Sequence, residues 1–391
     1  MHHAPALRVA LIGYSFMGRI HAQAWQTAPR FFDVSAEVDL VVGRDAAAVE
    51  KFAHTFDIPR WSTDWREAIA DPDIDAIDIC VPGDLHAEIS DAALAAGKHV
   101  LCEKPLANSL GEAQAMAAVA AEARANGVQS MVGFSYRGAP ALGAMRRLIA
   151  DGRIGTIRHI RATYLQDWIV DEQFPLVWRL QREKAGSGAL GDIGAHIIDL
   201  AAFLTGQRLA GVSALTETFV RERPLVASSG SLAAVAGAGT GAVDVDDAAV
   251  FIARTEGGAL ATFEATRFAA GRKNAIRIEI NGSRGSVAFD FERMNEFEFH
   301  DHTLPGAEAG FRRILATEPE HPYLEAWWPP GHGLGYEHTF THEVVEFARA
   351  VAAGTAPSPS YEDGLYVQRV LDAVERSAAA GAGWVDIPLA G

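Results

Sequence analysis

The sequence predicts two domains of different class: an α/β domain built on a parallel sheet, then an α+β domain with a mostly antiparallel open sheet. Three observations carry this. At 391 residues the chain exceeds what one ordinary hydrophobic core holds. Up to Gly133, β-branched apolar runs alternate with alanine-rich amphipathic segments, the pattern of right-handed βαβ units whose sheet is covered on both faces. Beyond Val212 the strand-like runs follow one another with only turn residues between them, which suits hairpins.

The first domain, residues 1–133, opens with the strands "LRVALIG" and "VDLVVG", continues with "AIDICVP" and "KHVLCEKP", and leads into "VQSMVGFSYR". Between them lie the helical segments "RIHAQAWQ", "DAAAVEKFAHTF", "HAEISDAALAAG" and "SLGEAQAMAAVAAEARANG". The second domain, residues 134–391, begins with the helix "APALGAMRRLIADG" and the strand "TIRHIRATYLQDW". A further helix is signalled by "ALGDIGAHIIDLAAFLTG", whose end Gly206 marks. The strands "GVSALTETFV", "DAAVFIART", "ALATFEATRF", "AIRIEINGS" and "GSVAFDFE" follow, with breaks such as "EGG" and "NGSRG". Residues 227–243, "ASSGSLAAVAGAGTGAV", carry almost no charge and are read as a long loop, mobile or folded over a partner subunit.

Composition narrows the partners. Hydrophobic residues make up 49% and charged residues 21%, the balance of a globular protein. A net charge of −16 disfavours nucleic acid and anionic membranes. Two cysteines, Cys80 and Cys102, are too few for a disulfide framework or a four-thiolate metal site, and both sit in apolar runs as buried free thiols. The start "MHHAPALRVA" lacks the form of a secretory leader, and no run reaches ~18 uninterrupted apolar residues. A cytoplasmic protein is expected.

The stretch "VALIGYSFMGRIH", residues 9–21, nearly spells the G-x-G-x-x-G fingerprint of a dinucleotide-binding loop. In that loop the first glycine makes a tight turn, the second admits the pyrophosphate, and the third lets helix pack on strand. Gly13 and Gly18 keep the outer positions. Ser15 takes the middle one and brings a hydroxyl that can donate to a phosphate oxygen at a helix N-terminus. The loop follows a strand, opens a helix and begins a βαβ series, which is the context a Rossmann cofactor site requires. The second strand ends "VVGRD", with Gly43 where a ribose-binding acid is usual. Arg44 beside it suits a 2′-phosphate and tilts the expectation towards NADP, while Asp45 could serve NAD.

Three further motifs, "AGKHVLCEKPLA" (96–107), "VGFSYR" (132–137) and "GSGALGDIGAHIIDLAAFLTG" (186–206), resemble those of the Gfo/Idh/MocA oxidoreductases, the relatives of glucose–fructose oxidoreductase and inositol dehydrogenase. The likeness extends over nearly the whole chain, including "GYSFMGRIHAQAW", "GDLHAEI", "YLQDW" and "GYEHTFTHEVVEF". It implies a Rossmann domain, a C-terminal sheet domain that often builds dimers or tetramers, and hydride transfer at a carbinol carbon of a sugar or cyclic polyol. It also implies that Lys104, Asp192 and His196 act at the substrate, and that the Lys104–Pro105 bond is cis.

The chemistry agrees with that set. Oxidising a secondary alcohol requires removal of the hydroxyl proton, a task for a group titrating near neutrality. Asp192 and His196 are four apart, on one face of a helix, so the carboxylate can orient the imidazole. Lys104 follows a strand that ends where open parallel sheets bind ligands, and its ammonium can favour the developing alkoxide. Which of His196 and Lys104 finally takes the proton stays open. Taken singly, each has a plainer reading: His196 as a core histidine, Asp192 as a helix cap, Lys104 as a surface lysine.

The expected cofactor contacts are Gly13, Ser15, Phe16, Met17 and Gly18 in the loop, Arg44, Pro82, Leu85 and His86 after later strands, Glu103, Lys104 and Arg179. The expected substrate contacts are Tyr136, Trp168, Arg179, Asp192, His196 and His338, and the lesser candidates are Tyr164, Trp178, Trp327, Trp328 and His332. The fourteen histidines are read as holding neither an H-x-x-x-H nor an H-E-x-x-H arrangement, and no metal is expected. Two other functions fit the same fold: redox-neutral cleavage of a glycoside with a tightly held NAD, and cofactor sensing without catalysis.

Overall fold

In the computed structural model, residues 6–228 and 234–388 are described. The first sheet is made of β1 (Leu7–Ile12), β2 (Ala36–Val42), β3 (Arg60–Ser62), β4 (Ala76–Ile79), β5 (His99–Glu103) and β6 (Ser130–Gly133). All its pairings are parallel, in the order β3-β2-β1-β4-β5-β6. The helices α1 (Phe16–Phe31), α2 (Ala46–Thr55), α3 (Trp65–Ala70), α4 (His86–Ala95) and α5 (Leu110–Ala125) connect them. Burial of Val9–Ile12 in β1 and of all of β4 accounts for their apolar character, which only Asp78 interrupts. The strand order reverses beside β1, so the Gly13 turn lies at the switch point where such sheets bind ligands. The short β3 escaped the sequence reading because "RWS" has no periodicity to detect.

Next come α6 (Pro140–Ala150), β7 (Ile157–Leu165), α7 (Arg182–Ala185) and α8 (Ala195–Thr205). The remaining strands are β8 (Leu209–Glu217), β9 (Glu222–Ser228), β10 (Val235–Ala242), β11 (Ala248–Thr255), β12 (Leu260–Thr266), β13 (Ala275–Gly282), β14 (Gly285–Asp290), β15 (Glu296–Asp301), β16 (Arg312–Leu315) and β17 (Val385–Asp386). Among the described residues eight of these join β7 in one open nine-stranded sheet, β16-β15-β14-β13-β7-β12-β11-β8-β17, antiparallel except between β7 and β12. Burial alternates along β11 and β12, so one face is packed and the other is exposed. The run Arg182–Thr205 is long and apolar enough by composition to cross a bilayer, yet most of it is buried inside the protein as a core helix would be.

The loop expected at residues 227–243 is corrected. β9 and β10 pair antiparallel as a ribbon of their own, and residues 229–233 lie outside the described residues. Gly and Ala have low strand propensity, which hid β10; the pairing with the Val- and Leu-bearing β9 overrides it. The helices α9 (Tyr336–Ala353) and α10 (Tyr361–Ala379) follow.

The chain divides into two compact units, Met1–Gly138 with Tyr336–Leu365, and Ala139–Gly335 with Tyr366–Gly391. The sequence reading drew its boundary after Gly133 and left residues 336–365 with the second domain. Their place in the first unit has a packing cause: Phe347 of α9 sets its ring edge-on to the fully buried Trp25 of α1, and Phe340 packs on His21. Aromatic pairs of this kind add ~0.5–1.5 kcal/mol each beyond the area they bury.

Candidate active site

In the first unit the chain leaves β1 at Gly13 with φ +115°, a conformation that favours glycine. A Cβ there would collide with the Cys80 carbonyl, and one at Gly18 would collide with the Gly13 carbonyl. The turn therefore holds bare backbone at the start of α1. Ser15 precedes α1, is exposed, and its side chain makes no capping hydrogen bond. The first turn of α1 carries no acidic residue. A turn with glycine at its tight point, an uncapped helix start and no opposing charge fit a dinucleotide pyrophosphate. Phe16 is exposed, while Met17 packs with Tyr14 on the cluster of Leu11, Val41 and Phe52.

At the end of β2 a Cβ on Gly43 would run into the Tyr14 ring, which explains the glycine where an acid is usual. Arg44 is exposed. The Asp45 carboxylate accepts the Ala48 N–H at 3.0 Å and caps α2, so that acid already has a structural task.

After β4, Pro82 precedes a tight turn, Gly83–Leu85, and His86 starts α4. Its ring is buried with Nδ1 2.9 Å from the Pro105 carbonyl and Nε2 3.0 Å from the Val81 carbonyl. Burial keeps its pKa below the usual histidine value. His86 thus links the turn after β4 to the turn after β5. Lys104 follows β5, half-buried, and the Lys104–Pro105 bond is cis. The Lys104 N–H donates to Glu103 Oε2 at 3.0 Å.

Tyr136 lies buried in a short turn after β6, 6.3 Å from the Tyr336 ring. His338 stands half-buried on α9 with Nδ1 3.5 Å from Glu337. His338 and His342 are four apart on this helix, a H-x-x-x-H spacing the sequence reading overlooked. His342 Nδ1 donates to the Gly138 carbonyl at 2.7 Å, a structural use of the ring.

In the second unit, Asp192 lies in a π-turn, Leu190–Gly194, that runs directly into α8, where His196 is buried. Wide turns of this type are frequent at functional sites. Asp246 builds this one: its carboxylate accepts the Gly188 and Leu190 N–H groups at 2.7 and 2.8 Å, and its carbonyl accepts that of Ala189. Arg267, fully buried, sets Nη1 3.6 Å from Asp192 Oδ2 and donates to the Asp246 and Arg179 carbonyls. Its guanidinium also lies 5.5 Å from the Trp168 ring centre. Tyr164 sits with its ring 5.9 Å from that of His196 and donates its hydroxyl to Asn274.

Trp168 bonds Gln166 through Nε1, and the loop that carries it is tied by the buried Arg223 to the Ile169, Asp171 and Phe174 carbonyls. The Arg179 guanidinium stacks on its neighbour Trp178, 4.3 Å from the ring centre. Trp327 and Trp328 stand 6.3 Å apart, with Trp328 exposed, and His332 Nδ1 lies 2.8 Å from the Pro329 carbonyl.

Sequence reasoning missed Arg267, Asp246, His21, Asp78 and Glu343. The signal was there for two of them: Asp78 is a charge in the middle of the apolar run "AIDIC", and Arg267 closes the strand "TFEATR". A charge inside a buried strand needs a partner.

Comparison with known proteins identifies the family. Residues 7–134 match the family model "Oxidoreductase family, NAD-binding Rossmann fold", and residues 143–288 match the "GFO/IDH/MocA C-terminal domain". The chain is 40% identical to a levoglucosan dehydrogenase of Pseudarthrobacter phenanthrenivorans over 98% of each chain. Among solved structures it resembles an oxidoreductase domain protein from Kribbella flavida, at 58% identity and TM-score 0.94, covering 98% of this chain and 100% of that one. It also resembles levoglucosan dehydrogenase in complex with NADH and levoglucosan, at 40% identity and TM-score 0.91, with 98% and 100% covered. By both its domains, the chain belongs to the Gfo/Idh/MocA oxidoreductases.

Proposed function

We propose that the protein is an NAD(P)-dependent dehydrogenase acting on a secondary alcohol of a sugar, glycoside or cyclic polyol, with levoglucosan the first substrate to test. The observation that carries the reading is Lys104, Asp192 and His196 occurring together in a member of this family that is 40% identical, end to end, to a levoglucosan dehydrogenase. Cofactor binding belongs to the first unit, around Gly13–Gly18, Arg44, the turn at Pro82 and Leu85, and Lys104; Glu103 is withdrawn as a cofactor contact, because His21 and the Lys104 N–H already engage its two oxygens. The second carries oligomerisation and the substrate residues Trp168, Arg179, Asp192 and His196, while Lys104, Tyr136 and His338 belong to the first.

When bound, the nicotinamide supplies the oxidising partner. His196 takes the hydroxyl proton, and the Asp192 carboxylate orients the imidazole and favours its charged form. The role given to the Lys104 ammonium is to favour the developing alkoxide. Tyr136, Trp168, Arg179 and His338 contribute contacts to the sugar, and His86 acts by shaping the turns it links.

Arg44 and the missing carboxylate at Gly43 support NADP; the capping task of Asp45 weakens its claim on a ribose. NADH in the levoglucosan dehydrogenase structures favours NAD. The two readings make opposite forecasts for the ratio of kcat/KM with NADP+ and NAD+. A homo-oligomer, dimer or tetramer, is supported by the exposed apolar side chains of Leu215, Val250, Ile252 and Leu260 on the open sheet. Two buried free thiols support a cytoplasmic location.

The test is reduction of NAD+ and NADP+ with levoglucosan, inositols, aldoses and glycosides. Lys104→Met should bind cofactor yet lower kcat by ~100-fold or more; full turnover in that variant refutes the assignment. Co-purified cofactor and a product lacking its aglycone would indicate redox-neutral cleavage, and bound cofactor without any turnover would indicate a sensor.

A further inference from the structure

Behind Lys104, inside the first unit, lies a closed group of ionisable side chains to which the hydride-transfer scheme gives no task. His21 of α1 is fully buried, with Nδ1 3.0 and 2.9 Å from the two oxygens of Asp78 and Nε2 3.0 Å from Glu103 Oε1. Asp78 also accepts the Trp25 indole N–H at 2.7 Å, one helical turn along α1. Glu103 spends its second oxygen on the Lys104 N–H. Glu343 of α9 approaches from the other side, Oε1 3.9 Å from His21 Nε2, and neither of its oxygens has a hydrogen-bond partner.

A neutral imidazole has one N–H and one lone pair, so it satisfies one carboxylate and repels the other. Two carboxylates on two ring nitrogens require two N–H donors. Glu343, as a third buried carboxyl beside them, cannot also be charged without leaving an uncompensated anion in the core. Burial pushes its pKa well up, whereas at His21 burial is the largest single effect but is outweighed by the charge and hydrogen bond of Asp78 together with Cys80, which hold the imidazole well above its usual value. The chain of contacts then runs Trp25–Asp78–His21–Glu103–Lys104 N–H, all within one unit.

We infer that His21 is a positioning residue, an imidazolium that clamps Glu103 and through it fixes the peptide that carries Lys104. Gly133 of β6 fits this role, since a Cβ there would press at 3.2 to 3.3 Å on the Glu103 backbone and carboxyl carbon. The inference rests on Lys104 acting at the substrate. Misplacing a reacting group by ~1 Å costs on the order of 100-fold in rate, so the clamp acts on kcat and leaves binding alone.

The experiment compares His21→Asn, Glu103→Ala and Glu103→Gln in the full-length protein. His21→Asn and Glu103→Ala should each lower kcat by roughly 10–100-fold while KM and the cofactor Kd stay within about threefold. Glu103→Gln restores the chain with reversed polarity: its amide donates to a neutral His21 Nε2 and its oxygen accepts the Lys104 N–H. It should keep kcat within about threefold of the parent. Should His21→Asn fail to fold, the two Glu103 variants carry the test. The inference is overturned by a folded His21→Asn with parental kcat, by equal losses in Glu103→Gln and Glu103→Ala, or by a stoichiometric metal in the native protein. The last outcome would make the bridging cation a metal, because His21, Glu103 and Glu343 offer ligand atoms within 4.8 Å of one another. Activity surviving in Lys104→Met would instead remove the premise, whatever the His21 variants do.

Discussion

The two units offer their chemistry in opposite ways. At the start of the first, Gly13 and Gly18 act by having no side chain, because a Cβ at either would strike a backbone carbonyl. Around Asp192 in the second, side chains do the work: a fully buried guanidinium, Arg267, and a carboxylate, Asp246, that takes two backbone N–H groups. A backbone cradle fails sterically and at once. A buried charge group fails by an amount that depends on what replaces its partner.

The sharpest break is therefore Gly13→Val. At φ +115° a β-branched residue is strained, and its Cβ points into the Cys80 carbonyl. Cofactor affinity, read by NADH fluorescence titration, should fall by ~100-fold or more, ~2.7 kcal/mol, with the circular dichroism spectrum retained. Unchanged affinity would show that the cofactor does not use this turn. Ser15→Gly, at an exposed position with no capping bond, should by contrast move the affinity by less than about threefold.

On the other side of the comparison stands Arg267→Met. It leaves the Asp192 carboxylate without its buried ion pair and removes donors from the Asp246 and Arg179 carbonyls. Deleting one partner of a fully buried pair costs ~3–5 kcal/mol of stability, and because the Asp192 side chain is 24% exposed the loss here should fall below that range. Arg267→Lys keeps the charge but loses the fork, so its loss should fall between Met and the parent in denaturant unfolding. A Met variant as stable as the parent would mean that Asp192 is held by other groups.

The same contrast explains what was legible in the sequence. The first sheet and its loop were readable because each element is a contiguous stretch: an apolar run, a glycine turn, a helix start. Lys104, Asp192 and His196 were readable because they stand in short motifs. Arg267, Asp246 and the His21 cluster were not, because their partners lie far apart in the chain and only the fold brings residues 21, 78, 103 and 343, or 192, 246 and 267, together. The ribbon β9–β10 was missed for a different reason: long-range pairing gives strand form to a Gly- and Ala-rich sequence with no strand propensity of its own.

Titration sharpens the comparison further, since the first unit contains a buried histidine, His342, whose ionisation is coupled to folding. Burial, with the Gly138 carbonyl opposing and the His338 and Arg349 charges assisting, lowers its pKa to about 3. Phe32 meets its ring edge-on at 5.7 Å. A histidine depressed in the folded state binds its proton more readily when unfolded, so its contribution is complete above the unfolded value near 6.5 and is lost as pH falls towards 3. Between pH 7 and pH 5 that loss amounts to about 2 kcal/mol. His342→Asn keeps a donor for the Gly138 carbonyl and removes the titrating group. Although destabilised at pH 7 by the lost ring, it should show a fall in stability between pH 7 and pH 5 smaller than that of the parent by about this amount. Parallel pH dependence in the two proteins would mean that His342 charges without unfolding the site, and that the first unit accommodates an imidazolium beside α1.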